Sequence, residues 1–368
     1  MNNFNRLIFI ILIEGLFAFF TNKSCAQISA DSAYNIMKRQ VLFDDLSKVE
    51  VLAIPNVLPA NSEISTFDTL VISPNYDSWF FVVDDDPYAN WNHPCRYIFV
   101  DSWTGNFTIK QEYSLPDTIE SNIIHSIVSL KETTQQDLFS FSNILRNTED
   151  HSNDYAVIIN GGYSKQNNHE RYYNDCAAIY SALRYVYHYQ RDHIIVIMSD
   201  GTNPANDRHL NVGGFDSSPL DLDGDGYDDI QLSATKYNIS AAFDILSHLV
   251  GPEDNLFVFV TDHGGEGSTL YLWGEIMSKA EFAAEIDKIA SAKTINVVME
   301  QCYSGGYTTV LCGENRVLST ACAYNEQSYA MDNKVYDEFC YHWVSAVSGQ
   351  DPYGNNVNAD YNGDGYIS

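Results

Sequence analysis

From Tyr155 onward the chain repeats one pattern: an uninterrupted apolar run, a short polar or Gly-containing break, then a segment of helical period. Tyr155–Ile159 ends in Asn160-Gly161-Gly162, and His193–Met198 ends in Ser199-Asp200-Gly201. Leu256–Val260 ends in Thr261-Asp262-His263-Gly264-Gly265, Ile295–Met299 ends in Glu300-Gln301-Cys302, and Val317–Thr320 is a shorter fifth run. Between the runs, residues 172–187 set Cys176, Ile179, Leu183 and Val186 on one helical face, and 240–249 is a second helix. Ser278 and Glu281 form a capping box that opens a third, with Phe282, Ile286 and Ile289 aligned. Apolar runs without period-two alternation are strands covered on both faces. The pattern therefore predicts an α/β domain, a mostly parallel sheet with helices on either side.

The preceding part reads differently. Ala30–Val41 is an amphipathic helix, and Val49–Ala53, Ser78–Val83 and Arg96–Asp101 are strands. Thr104-Gly105 turns the last of these into Phe107–Ile109. Residues 27–115 are thus expected to form a small α+β domain. Its element order resembles the prodomains of some secreted bacterial proteases. Asp84-Asp85-Asp86 reads as a solvated acidic loop, and no catalytic arrangement stands out in this part. Residues 116–154 are polar, with one apolar patch at Ile123–Leu130, and read as a connection with one or two helical turns.

Composition narrows the function. The 368 residues suffice for two domains and are 45% apolar and 13% aromatic, enough for packed cores. A net charge of −29 with only 20 Lys and Arg excludes a nucleic-acid binder, which needs cations against phosphates. It fits an extracellular, calcium-rich setting. Arg6 followed by the apolar run Leu7–Phe20, broken by Glu14, reads as an export signal over 1–26 and is too short for a transmembrane span. Ser24-Cys25-Ala26 allows cleavage before Gln27. Polar Asn22 and Lys23 weigh against lipidation at Cys25. A secreted, periplasmic or cell-surface protein is expected. The seven cysteines (25, 95, 176, 302, 312, 322 and 340) show no CxxC pair or zinc spacing and do not form a disulfide scaffold.

Two strand ends carry reactive groups, His263 and Cys302. In parallel sheets ligands bind beyond the carboxyl ends of the strands. Neighbouring strands lie ~4.8 Å apart, so a thiol and an imidazole on adjacent ends can serve as nucleophile and proton carrier. The N–H groups of Gly264 and Cys302 are candidates for an oxyanion hole. A lone cysteine is usually a small buried hydrophobe; the two groups together, each beside a Gly-containing turn, favour catalysis. No G-x-S-x-G elbow surrounds Ser304, which weighs against a serine hydrolase.

"VFVTDHGGEG" and "NVVMEQCYSGG" resemble the two catalytic blocks of the legumain-type (C13) cysteine peptidases of the caspase-like clan. "STACAYNEQSYA" and "RYYNDCAAIY" are similar to two further segments of that family, in the same order, over about Tyr155–Val347. The resemblance implies a caspase-like domain over 155–350, with Cys302 as nucleophile, His263 as general acid/base and Gly264 and Cys302 donating to the oxyanion. It implies that Arg171 lines the S1 pocket with Ser328 on the opposite wall, and that Asp262 and Glu300 flank the pair, Glu300 as a substrate contact or as a structural hydrogen-bond acceptor; Tyr303 is placed with the substrate-binding residues. It departs from the family at Tyr303, where an acidic residue balances the pocket arginine, and at Gln327 and His169. The resemblance implies a protein or peptide substrate cleaved after Asn or Asp, and no organic cofactor. A transpeptidase on the same fold, and a calcium-binding surface module with a vestigial site, are the alternatives. Intact His263 and Cys302 argue against the module. The sequence does not fix the oligomeric state.

"DLDGDGYDD" places Asp221, Asp223, Asp225, the Tyr227 carbonyl and Asp229 at the first ligand positions of an EF-hand-type loop, with Leu232 where the bidentate Glu belongs. "DYNGDGYIS" repeats the pattern with Asp360, Asn362, Asp364 and the Tyr366 carbonyl, and is expected to continue past Ser368. Residues 351–368 then open an EF-hand or dockerin-like element, and Ca2+ is the expected cofactor, structural or regulatory.

Overall fold

A computed structural model describes residues 27–43, 45–66, 69–90, 93–116, 122–125, 151 and 153–363. The export signal with Cys25, most of the 116–154 connection, and Asp364 and Tyr366 lie outside the described residues.

The N-terminal part is one helix on an antiparallel sheet. Helix α1 (Ala30–Gln40) starts where the Ser29 hydroxyl accepts the Ser32 N–H, and carries Lys38 and Arg39 in its last turn. Both placements suit the helix dipole and its free end groups. It buries Ala33 and Met37 against a sheet of order β4-β3-β2-β1-β5. Those strands are β1 (Glu50–Ala53), β2 (Ser78–Asp84), β3 (Cys95–Asp101), β4 (Phe107–Glu112) and β5 (Asn122–His125). Alternation splits the strands between two faces: Val51, Val83, Ile98 and Val100 meet α1, while Phe80, Val82, Tyr97 and Phe99 meet the hairpin of Glu63–Ser65 and Leu70–Ile72. Asn122–His125, expected within a connection of helical turns, is instead a strand paired with β1. The acidic loop, expected to be solvated, is only half-exposed. Asp84 is buried with His93 at 2.9 Å, and Asp85 accepts Arg96 Nε at 2.8 Å.

The second part is the expected parallel sheet, six strands in the order β8-β7-β6-β9-β13-β14. These are β6 (Tyr155–Asn160), β7 (Ile194–Met198), β8 (Ile230–Leu232), β9 (Asn255–Thr261), β13 (Thr294–Met299) and β14 (Arg316–Thr320). Strands β10 (Gly264–Gly265), β11 (Thr269–Leu272) and β12 (Glu275–Ser278) form a small antiparallel sheet immediately after His263. Val157, Ile159, Val258 and Val260 pack on α3 (Lys236–Leu249), α4 (Lys279–Asp287) and α5 (Thr308–Leu311). Ala156, Ile158, Phe257 and Phe259 pack on α2 (Glu170–Tyr185) and α6 (Glu338–Ser348). Every residue from Arg171 to Leu183 of α2 is buried. A helix so enclosed holds its first turn rigidly at the carboxyl edge of the sheet, and that turn carries Arg171 and Tyr172. No helix among the described residues is long and apolar enough to cross a membrane.

Candidate active site

Strands β9 and β13 are parallel neighbours, with Val260 beside Met299. The two strands therefore end side by side and deliver His263 and Cys302 to one edge. Both exits are conformationally unusual. Asp262 has φ 90° and Tyr303, directly after the cysteine, has φ 60°. Non-glycine residues hold such angles at a cost of about 1–3 kcal/mol each, and only where the surroundings fix them. Here the Asp262 carboxylate accepts the Gly162 N–H, and the Ser268 hydroxyl donates to the Tyr303 carbonyl at 2.8 Å. Gly264 closes the arrangement from the other side. A Cβ on it would lie 2.0 Å from the Cys302 carbonyl oxygen, so only glycine lets the two backbones meet.

The imidazole is oriented by the main chain. His263 Nε2 lies 2.9 Å from the Asn167 carbonyl. A carbonyl only accepts, so Nε2 donates to it, and the ring also faces the Asn90 backbone. The Tyr172 hydroxyl lies 3.4 Å from Nδ1. The Cys302 sulfur accepts the Ser328 N–H at 3.3 Å. Burial pushes the thiol up to about 12, opposed by the Ser328 hydrogen bonds, and pushes His263 down to about 3, with the Arg171 charge adding to the effect. The pair is thus a neutral thiol beside a neutral imidazole in this enclosed state.

Beside the pair lies a polar pocket. The Arg171 guanidinium, 5% exposed, donates through Nε to Asp337 Oδ1 at 2.9 Å and to Asn90 Oδ1 at 3.0 Å. Asn90 belongs to the N-terminal domain. Its Nδ2 donates to the Ser328 hydroxyl at 3.0 Å and its side chain also hydrogen-bonds Asp337. Arg171 and Ser328 contact opposite ends of one carboxamide, that of Asn90. Asn90 and Asp337 were not anticipated from the sequence. Asp337 had a readable signal, since a buried arginine needs an acid and Tyr303 does not supply it. Asn90 had none, because its contacts cross 81 and 238 residues of sequence.

One expectation is corrected. Glu300 is fully buried with Asp175, Asp337 and Cys340 around it, not on the substrate side. Burial first, then repulsion from Asp337, raises both Glu300 and Asp175 well above the usual carboxylate range. Asp337 is also raised by burial, but Arg171 pulls it back. Tyr303 packs with Tyr163 and Tyr271 around Cys302.

In the acidic loop, Asp221, Asp223 and Asp225 bring ligand oxygens within 4.8 Å of one another. Asp229 turns inward instead, accepting Tyr180 Oη at 2.5 Å and the Leu222 N–H at 2.8 Å. Arg191 pairs with Asp225, and its guanidinium lies 4.7 Å from the Tyr227 ring centre. Asp360 accepts the Gly363 N–H at 2.7 Å.

A parallel sheet of this order, with helices on both faces, a thiol at one strand end and an imidazole at the next, is the caspase-like α/β fold of a cysteine peptidase. The model of the peptidase C13 family matches residues 154–362, more than half of the chain, and the chain belongs to that family. No curated protein matches the chain.

Two outcomes follow from this geometry. Gly264→Ala, by displacing the Cys302 backbone, is expected to lower kcat/KM on a peptide substrate by about 100-fold or more; unchanged turnover would refute the close approach. Glu300→Gln bears on stability. The folded state retains a proton on Glu300 that the unfolded chain releases, so folding stability falls as pH rises from the ordinary carboxylate value toward the raised folded one. Thermal melts should show Glu300→Gln close to wild type at pH 4 and higher in Tm at pH 8, by about 2–4 °C for each kcal/mol relieved.

Proposed function

We propose that this cysteine peptidase is an endopeptidase that cleaves on the carboxyl side of asparagine, with Cys302 as nucleophile and His263 as proton carrier. The observation that carries the reading is the carboxamide of Asn90, whose oxygen accepts from Arg171 and whose nitrogen donates to Ser328. A pocket with a donor at one end and acceptors at the other fits an amide. It rejects an aliphatic side chain, which leaves buried polar groups unpaired. An aspartate would face Asp337 with like charge.

The chemistry runs through the described atoms. The Cys302 thiol passes its proton to His263 Nδ1 as the sulfur attacks the carbonyl carbon of the asparagine, and the carbonyl electron pair moves to its oxygen. The N–H groups of Gly264 and Cys302 are the donors assigned to that oxyanion. His263 then delivers that proton from Nδ1 to the departing amine as the C–N bond breaks, leaving a thioester. Water attacks the thioester and gives a proton to Nδ1, which returns it to the departing sulfur; the thiol is restored and the new carboxylic acid ionises. Export to the periplasm or cell surface, read from residues 1–26, is part of the same proposal. So is a calcium ion at Asp221, Asp223 and Asp225, whose gathered oxygens support it.

A fluorogenic panel varied only at P1 tests the specificity. Asn is expected to be fastest at neutral pH, with Asp gaining as pH falls and one of the two facing carboxylates is protonated. Arg171→Ala should cost at least 100-fold in kcat/KM, and Asp337→Asn should narrow the Asn-to-Asp ratio. Fastest cleavage after Lys would overturn the pocket. For the metal, Ca2+ at about 100 times its Kd is expected to add about 2.7 kcal/mol of stability. The matching rise in Tm should vanish in Asp223→Asn; no rise in the wild type would dismiss the site.

A further inference from the structure

We propose that the N-terminal domain keeps this peptidase latent by seating its own segment Tyr88–Ala89–Asn90 in the substrate cleft. The inference rests on the reading of the Arg171 pocket as the P1 site. The segment is bound as an added strand. Asn90 N–H donates to the Ser328 carbonyl at 3.2 Å, Ala330 N–H donates to the Tyr88 carbonyl at 2.9 Å, and Ala89 stands opposite Tyr329 in an antiparallel bridge. Main-chain pairing of this kind holds an extended peptide regardless of its sequence, while alternate side chains enter pockets. Asn90 then enters the pocket that the asparagine of a substrate needs. No second peptide can use Ser328 and Arg171 while Asn90 does.

Burial supports the same conclusion. Asn90 is 1% exposed, Cys302 0% and His263 3%. A cavity of only about 70 Å³ remains between the domains beside Arg171 and Ala89. The Asn90 carbonyl accepts from the Tyr172 hydroxyl at 3.3 Å and faces the His263 ring. These contacts occupy the imidazole whose Nδ1 is needed for proton delivery. The raised thiol and depressed imidazole follow from the same enclosure.

The segment is also held in place from behind. Asp84 with His93 and Asp85 with Arg96 fix the two arms of its loop, and Lys334 beside the pocket pairs with Glu50 of β1 at 2.7 Å. Because the occupant is tethered, it competes with free peptide at a high effective concentration. An added substrate must displace it or await its removal.

The full chain, confirmed intact by mass, tests this by two readouts: the rate of iodoacetamide labelling at Cys302, located by peptide mapping, and hydrolysis of a short peptide with Asn at P1. Asn90→Ala is expected to raise both by at least tenfold. Glu50→Gln, which lies outside the cleft, should raise both by a smaller factor and carries the test if Asn90→Ala does not fold. Folded variants that label Cys302 at the wild-type rate overturn the latency. Faster labelling without turnover of the Asn peptide supports the latency and removes the asparagine assignment, so the two failures are distinguishable. Labelling here measures access and does not depend on peptidase turnover.

Discussion

The site depends on one buried cation. Arg171 sits in the first turn of a fully enclosed helix, where desolvating a guanidinium costs several kcal/mol unless it is paired and fully hydrogen-bonded. Asp337 supplies the pair, Tyr172 accepts a second bond at 2.8 Å, and Asn90 accepts the third. Asp175, Glu300 and Asp337 lie close together beneath it, and burial raises all three above the usual carboxylate range. Only Asp337, in contact with the guanidinium, is pulled back by its charge. The pocket is thus polarised from one point, and the reach of Arg171 decides which ligand group must be an acceptor.

The sheet gives this cation its reactive neighbours. Parallel strands β9 and β13 end together, so two side chains far apart in sequence arrive at one edge without any contact of their own holding them there. Fine placement comes from the exits. Left-handed angles at Asp262 and Tyr303 turn the chain sharply just before His263 and just after Cys302. The rigid core beneath absorbs this cost, and the reactive atoms are aimed by backbone geometry more than by side-chain packing.

Much of this was legible in the sequence. Apolar runs of four to six residues named each strand of the parallel sheet except the short edge strand Ile230–Leu232, which follows the acidic loop and has too few apolar residues to stand out. The thiol and imidazole were found because both follow such runs. Arg171 and Ser328 came from resemblance, and both contact Asn90. What was missed is long-range by nature. Asp337 lies 166 residues from its partner, and no periodicity connects them. Asn90 lies in a loop whose Pro, Asp and Asn residues read as exposed, and its burial comes entirely from the other domain. Glu300 was misplaced because nearness in sequence to Cys302 does not tell how the chain turns once the strand has ended, and here the carboxylate is buried among Asp175, Asp337 and Cys340.

The anchoring of His263 has a kinetic meaning. With Nε2 committed to the Asn167 carbonyl, the ring has one working nitrogen. Under the proposed mechanism that nitrogen takes up and releases every proton of both half-reactions at the same place. The ring then needs no flip between them, and any nucleophile that reaches the vacated space meets the same base in the same orientation.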